Sequence, residues 1–193
     1  MIHLKNYFIN LPSGETLFGP INMEVLPGEV LIIKGRNGGG KSTLLQHLAL
    51  RGFEDNVVNV TKNQIAYLPQ KYGLDFDFPF TLADALLQTS PKKTKVGAPI
   101  YQLAESINLK RPWATASGGE RKKVLLLRCL KMQAKILLFD EPFNNLDQKS
   151  RALFLLDLNS YLDINIDTCV AIITHDEIHD SFKNKNIKYL ELN

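Results

Sequence analysis

The sequence contains a glycine-rich run whose residue types could hold the phosphates of a nucleotide. Residues 35–43 fit the pattern of a glycine, four residues and then Gly-Lys-Ser, and they follow the apolar run 30–33. Glycines let successive backbone amides point at phosphate oxygens, and the helix expected next offers its positive end to the same anion. The predicted phosphate ligands are Gly35, Asn37, Gly38, Gly39, Gly40, Lys41, Ser42 and Thr43.

Two side chains of this run have distinct predicted roles. Lys41 would reach the β- and γ-phosphates as a compact charge, and the Ser42 hydroxyl would coordinate Mg²⁺. The alternative is a glycine-rich turn between a strand and a helix that binds nothing.

Two adjacent carboxylates, Asp140 and Glu141, follow a second apolar run at 136–139. Open α/β sheets bind their ligands at the carboxyl ends of strands, and adjacent strand residues point to opposite sides. Asp140 would hold Mg²⁺, through water, and Glu141 would polarise the water that attacks a γ-phosphate. The alternative is a pair of acids that only caps a strand end.

The stretch Ser117-Gly118-Gly119-Glu120 precedes an amphipathic run. Ser117 and Glu120 can form a capping box, in which each side chain bonds the other residue's amide. That role does not require two glycines, which leave amides bare at a positive helix end and ready for a second phosphate.

The composition is that of an ordinary globular protein. The 193 residues are 45% hydrophobic and 22% charged, and a net charge of +3 is too small to indicate a nucleic-acid partner. The first residues lack the charged-then-apolar layout of a signal peptide. The sequence also contains no run of about eighteen apolar residues, which is the length needed to span a membrane. We therefore expect a cytoplasmic protein in which Cys129 and Cys169 are buried, reduced thiols.

Short apolar strands alternate with helices, which predicts an α/β fold with a mostly parallel sheet covered on both faces. Antiparallel strands with a turn at 12–14 occupy residues 2–26. Further strands are expected at 30–34, 57–60, 65–68, 136–139, 170–173 and 187–192. Helices are expected at 43–48, 121–131 and 150–162, with a short one after His175.

Residues 71–116 differ in character, with prolines at 79, 91, 99 and 112 and helical pieces at 82–88 and 100–107. We interpret them as a small helical lobe inserted into a single domain whose core is 1–70 and 117–193. The basic run 92–95 favours a solvated loop over a binding patch.

In their order and spacing, these motifs resemble those of ABC-type ATPases, the P-loop nucleotide-binding subunits of ATP-binding-cassette transporters, over nearly the whole chain. The matching stretches are Walker A at 35–43, the Q-loop at 69–70, the signature at 117–120, Walker B at 136–141, the D-loop at 145–147 and the switch-histidine region at 174–176. A lone Gln70 or His175 would more often be a surface glutamine or a strand-end histidine.

The resemblance implies a head-to-tail homodimer across two ATP molecules. Each ATP would lie between the phosphate loop of one subunit and Ser117, Gly118 and Gly119 of the other. ATP should tighten the dimer and hydrolysis should loosen it. Asp147 would communicate across this interface.

The resemblance also assigns two residues around the γ-phosphate. Gln70 would contact Mg²⁺ and the attacking water and couple the site to the helical lobe, and His175 would hold the γ-phosphate. Integral membrane subunits would contact the lobe, so that the ATPase lies on the cytoplasmic face of the membrane without inserting into it.

The chain departs from the family pattern at two places. The signature usually reads Leu-Ser-Gly-Gly-Gln, whereas Ala116 and Glu120 stand at its outer positions here. The aromatic residue that stacks on adenine falls close to Leu11, and Tyr7, Phe8 or Phe18 could supply the ring instead.

A single short cassette resembles the separate ATPase subunit of a transporter. The stretch 75–81, Asp-Phe-Asp-Phe-Pro-Phe-Thr, is similar to the corresponding stretch of zinc and manganese importers, which favours a divalent metal as cargo. The alternative, nearly as well supported, is that this stretch is only another helix start. The alternatives are an exporter of a lipid or haem-related cargo, a cassette ATPase acting on a soluble partner, and a regulatory module without useful turnover.

Overall fold

Strands and helices alternate through the part of the chain that the computed structural model describes, which is residues 1–10, 13–52, 56–71, 80–87, 101–182 and 184–192. The strands are β1 (Ile2–Asn10), β2 (Thr16–Val25), β3 (Val30–Gly35), β4 (Ile65–Leu68), β5 (Ile136–Asp140), β6 (Cys169–Ile173) and β7 (Ile187–Leu192). The helices are α1 (Lys41–Leu50), α2 (Leu82–Leu87), α3 (Gln102–Glu105), α4 (Gly118–Lys131) and α5 (Gln148–Ile164).

A five-stranded parallel sheet with the strand order β4-β5-β6-β3-β7 forms the centre of the fold. Val30 of β3 lies opposite Val170 of β6 on one side and Ile187 of β7 on the other. Because the strands are parallel, the carboxyl ends of β3, β4 and β5 meet at one edge, which is where the predicted site residues follow them.

Two apolar layers cover the sheet, so β3 and β5 are buried on both faces. Val30 and Ile32 face the layer that includes α4 and α5, whereas Leu31 and Ile33 face the layer that includes α1. Strands β1 and β2 form the predicted antiparallel pair, with Ile2 opposite Val25, and they join the α1 layer.

The segment between β4 and α4 packs on the core through specific contacts. Asp157 of α5 is buried, and its carboxylate accepts hydrogen bonds from the amides of Gln102 and Leu103 at 2.8 and 2.9 Å, at the start of α3. Phe80 stacks on Trp113 with ring centroids 5.5 Å apart. The Asp157 contact ties the predicted lobe to α5 of the core, whereas the stacked rings hold two parts of the lobe together.

The structure differs from the sequence prediction at residues 57–60, which form an isolated bridge between Ile2 and Val58 and not a strand. Val57 and Val58 are buried beneath the start of β1, where Val57 O accepts a hydrogen bond from His3 N at 2.7 Å. Their apolar character therefore reflects packing. The helix expected after His175 is a 3₁₀ turn at His179–Phe182.

Helices α4 and α5 begin earlier than predicted because a capping side chain precedes each of them. Asp147 caps α5 and Ser117 caps α4, each through the amide three residues later. Three predictions lie outside the described residues: the basic run 92–95, the stretch 75–79 and the adenine position at Leu11. Across the described ranges, every helix is too short or too polar to cross a bilayer.

Candidate functional site

The glycine-rich run forms the loop between β3 and α1, as its pattern predicts. Gly40 immediately precedes α1 with φ at 87°, and Gly35 has φ at 139°. A Cβ on Gly35 would lie 1.9 Å from the carbonyl oxygen of Leu192 in β7, so only glycine fits there. The same carbonyl accepts a hydrogen bond from Arg36 N at 3.2 Å, which fixes the start of the loop against β7.

The ammonium group of Lys41 lies inside this loop. Its Nζ donates to the carbonyls of Gly35 and Arg36 at 2.9 and 2.7 Å, and the residue is buried. A positive charge held at the start of a helix can bind a phosphate with little reorganisation.

Asp140 and Glu141 lie at the carboxyl end of β5, beside the loop. Asp140 is the last residue of β5, on the same face as Leu138, which belongs to the α1 layer. Its buried Oδ1 accepts no hydrogen bond from the described residues. A buried carboxylate oxygen that accepts no hydrogen bond from the described residues, in the same pocket as Ser42, fits the oxygen ligands that Mg²⁺ prefers.

Glu141 has a strained backbone, with φ at 47°, and its amide donates to Ile173 O at 3.1 Å. Its Oε1 lies 3.4 Å from Nε2 of His175. Burial raises the pKa of the Glu141 carboxyl, and the nearby charge of Asp140 acts in the same direction, whereas His175 and Lys41 oppose them. A carboxylate in such surroundings is a stronger base than an exposed one.

A pocket of about 280 Å³ brings most of the predicted phosphate and metal residues together. Among the described residues, its lining is Asn37, Gly38, Gly40, Lys41, Ser42, Thr43, Gln70, Asp140, Glu141 and Ile173. Gln70, two residues after β4, thus shares a pocket with both carboxylates. This arrangement can hold a polyphosphate, a cation and a water molecule within reach of a base.

The signature residues lie elsewhere, since the described lining of this pocket excludes Ser117, Gly118 and Gly119. They begin α4, where Ser117 and Glu120 form the predicted capping box. A Cβ on Gly118 would meet no atom within 4 Å, whereas one on Gly119 would lie 2.9 Å from Asn145 O. Gly118 therefore faces open space and Gly119 packs on the D-loop.

Asp147 caps α5 and is also remote from the pocket. It accepts hydrogen bonds from the hydroxyl and the amide of Ser150 at 2.7 and 2.8 Å, which lower its pKa to about 2. Lys123 of α4 lies 3.7 Å from the same carboxylate. The D-loop and the signature helix are thereby joined within one chain.

A second pocket, of about 620 Å³, adjoins the phosphate loop at Thr43. Tyr7 and Phe8, two of the three aromatic residues expected near an adenine, line it together with His47. Phe18, the third, is partly buried and packs on the core. The structure thus brings Tyr7 and Phe8 to the end of the phosphate loop.

Two residues near the site were missed by sequence reasoning. Lys122 is buried in α4, where burial lowers its pKa and the charges of Asp140 and Glu141 oppose that shift. The sequence does contain a signal that Lys122 is buried. It stands three residues before Leu125 and four before Leu126, which places it on the buried face of the helix. Leu192, whose carbonyl crowds Gly35, acts through its backbone and has no sequence signal.

Comparisons with known proteins agree on one family. Residues 18–144 match the model of the ABC transporter family. The zinc import ATP-binding protein ZnuC of Haemophilus influenzae is 34% identical in an alignment of 180 positions that covers 91% of this chain and 66% of that protein. ZnuC of Ehrlichia chaffeensis is 31% identical in an alignment of 196 positions that covers 94% of this chain and 79% of that protein.

Solved structures show the same fold. The dimeric post-hydrolysis structure of the ATP-binding cassette MJ0796, bound to ADP and Pi, superposes with a TM-score of 0.74 at 22% identity. The match covers 100% of this chain and 97% of that one. The sheet, the N-terminal strand pair and the phosphate loop therefore belong to one shared architecture.

Proposed function

This chain belongs to the ABC transporter family and is one of its ATP-binding cassettes, and from that membership we propose that it hydrolyses MgATP to drive transport through separate membrane subunits. The observation that carries the proposal is the pocket in which the phosphate loop, Gln70, Asp140 and Glu141 meet.

The residues of the pocket divide the chemistry among them. Lys41 and the loop amides would bind and orient the β- and γ-phosphates, while Ser42, Gln70 and Asp140 would hold Mg²⁺. When bound, Mg²⁺ neutralises charge that develops on the phosphate oxygens. Glu141 takes the proton of the attacking water, and His175, next to Glu141, holds the γ-phosphate in line.

We propose a homodimer in which each ATP also meets Ser117, Gly118 and Gly119 of the partner subunit. The signature residues lie away from the pocket of their own chain, at the start of α4, where the positive end of the helix favours a phosphate. Asp147 would carry information across the interface, since its carboxylate is already tied to α4 through Lys123.

The proposed partner is an integral membrane protein that contacts a helical lobe formed by 71–116, while 1–70 and 117–193 form the core. We place the contact beside Gln70, at the end of the edge strand β4. The chain would then lie on the cytoplasmic face of the membrane. The relatives named zinc import ATP-binding proteins support a divalent metal ion as the cargo.

Purification of the tagged chain from detergent-solubilised native membranes tests the transporter assignment. A multi-span membrane protein should accompany it in stoichiometric amount, and a cross-linker placed on a cysteine that replaces the exposed Lys71 should join the two. Reconstituted vesicles should then take up Zn²⁺ with ATP, and vesicles with the Glu141→Gln variant should not. Recovery with cytosolic partners alone would overturn the transporter assignment and leave the ATPase chemistry standing.

A further inference from the structure

The signature of this chain places a carboxylate beside the hydroxyl that is proposed to meet ATP. Oε2 of Glu120 accepts hydrogen bonds from the amide and the hydroxyl of Ser117, both at 2.9 Å. The hydrogen bonds from Ser117, and then the Arg111 guanidinium, hold the pKa of Glu120 below its usual range. Glu120 is therefore an anion at neutral pH, within hydrogen-bond distance of Ser117 Oγ.

Arg111 neutralises this carboxylate. Its Nη1 donates to Oε1 and Oε2 of Glu120 at 2.9 and 2.8 Å, and the Glu120 side chain is only 17% exposed. The backbone of Arg111 is itself fixed, because its amide bonds Asn108 O and its carbonyl accepts from Leu82 N, both at 3.0 Å. The guanidinium is thus held in place by the segment that leads from the lobe to α4.

We propose that Arg111 is a positioning residue for ATP-dependent dimerisation. Arg111 neutralises Glu120, so that the triphosphate bound to the partner subunit can approach Ser117. The inference rests on the proposed function, because it requires a dimer closed across ATP. The family signature usually has a neutral glutamine at the position of Glu120, whereas this chain has a carboxylate there that is paired with the Arg111 guanidinium.

The physical reason is the repulsion between an unpaired carboxylate and a phosphate. Like charges brought together at an interface are strongly unfavourable, and the effect grows as the interface excludes water. A two-fold dimer contains the pair twice, so the loss of Arg111 acts at both sites.

Sedimentation velocity with MgATP, in a Glu141→Gln parent that retains ATP, measures the dissociation constant of the dimer. Arg111→Ala should raise that constant about tenfold or more. Adding Glu120→Gln to Arg111→Ala should return it to within about threefold of the parent, because no charge is left to repel the phosphate. Lys110→Ala, which removes an exposed cation from the neighbouring position, is the matched control and should leave the dimer unchanged.

Two further readouts separate a charge effect from a structural one. The defect of Arg111→Ala should shrink only partly as NaCl is added, because the Glu120 side chain is 17% exposed and salt screens partly buried charges less than exposed ones. Binding of a fluorescent ATP analogue to the monomer should stay at the parent value, because the described lining of the phosphate-loop pocket excludes Arg111.

The outcomes are distinct. If the parent dimerises and Arg111→Ala has the same dimer dissociation constant as Lys110→Ala, the inference is overturned and the proposed function is left intact. A defect in Arg111→Ala that Glu120→Gln does not relieve would show that Arg111 serves folding, and the charge argument would be wrong. A parent that stays monomeric with MgATP would overturn the dimer of the proposed function and this inference with it.

Discussion

Glu141 Oε1 and His175 Nε2 lie 3.4 Å apart, although Glu141 follows β5 and His175 follows β6. The two strands are neighbours in the sheet, with Asp140 opposite Ile173. Their register therefore sets the distance between the proposed base and the proposed γ-phosphate ligand. The segment of His175 is fixed in turn by the ion pair between Arg151 and Asp176, at 2.6 Å.

We expect Glu141→Gln to lower the rate of ATP hydrolysis by about 10²–10⁴-fold, since an amide cannot take a proton from water. Phosphate release reports the rate, and titration with ATP should give an affinity like that of the wild type. Glu177→Gln makes the same chemical change at a side chain that is 85% exposed, and it should retain full turnover. Normal hydrolysis by Glu141→Gln would remove Glu141 from its proposed role.

Lys41→Ala should weaken nucleotide binding itself. Charge-assisted hydrogen bonds contribute about 1.5–3 kcal/mol, so the dissociation constant for ATP should rise about 10- to 100-fold. Calorimetry measures the constant, and the ATP-dependent rise in melting temperature should fall in parallel. Lys62→Ala, at an exposed lysine, is the control and should bind ATP normally. Equal ATP affinities of Lys41→Ala and Lys62→Ala would contradict the phosphate-loop assignment.

Gly118→Ala should separate folding from dimerisation. The added Cβ meets no atom within 4 Å in the single chain, and alanine favours a helix by up to about 1 kcal/mol over glycine. The melting temperature of the monomer should therefore stay the same or rise, while MgATP-dependent dimerisation weakens because the methyl group covers the amides. Unimpaired dimerisation would mean that the start of α4 does not approach ATP. Gly35→Ala is the contrasting variant, which should fail to fold stably.

Asp157→Ala should destabilise the fold without touching the site. The substitution leaves the amides of Gln102 and Leu103 without their acceptor, and the loss of such a cap costs about 1–2 kcal/mol. Urea unfolding measures the difference in free energy. Asp167→Ala, at an exposed position, should have an effect near zero, and equal stability of the two variants would mean that the Asp157 contact contributes nothing.

Local patterns in the sequence predicted most of the site. The phosphate loop, the capping box of Ser117 and Glu120, and the two carboxylates at the end of β5 each depend on residues within a few positions of one another, so the local sequence is sufficient to place them. The strand order could not be predicted in the same way, because it depends on which of several similar apolar strands pair.

Local sequence patterns also could not predict contacts between residues that are distant in the chain. Asp157 meets α3 across more than fifty residues, and nothing near Asp157 distinguishes it from a surface aspartate. The pair of Arg111 and Glu120 requires the turn at Trp113–Thr115 to bring the lobe back to α4. Conversely, Val57 and Val58 have strand-like residue types but lie where only one bridge to Ile2 forms.

The position of β3 between β6 and β7 has a consequence for how the protein is made. The strand that leads into the phosphate loop is synthesised early, yet both of its neighbours come from residues 169–192. A nascent chain has to wait for these strands before β3 is paired on either side, and the long loops that they close slow the search. ATP can therefore assist folding of the loop only after β7 has been synthesised and its Leu192 carbonyl has reached the loop.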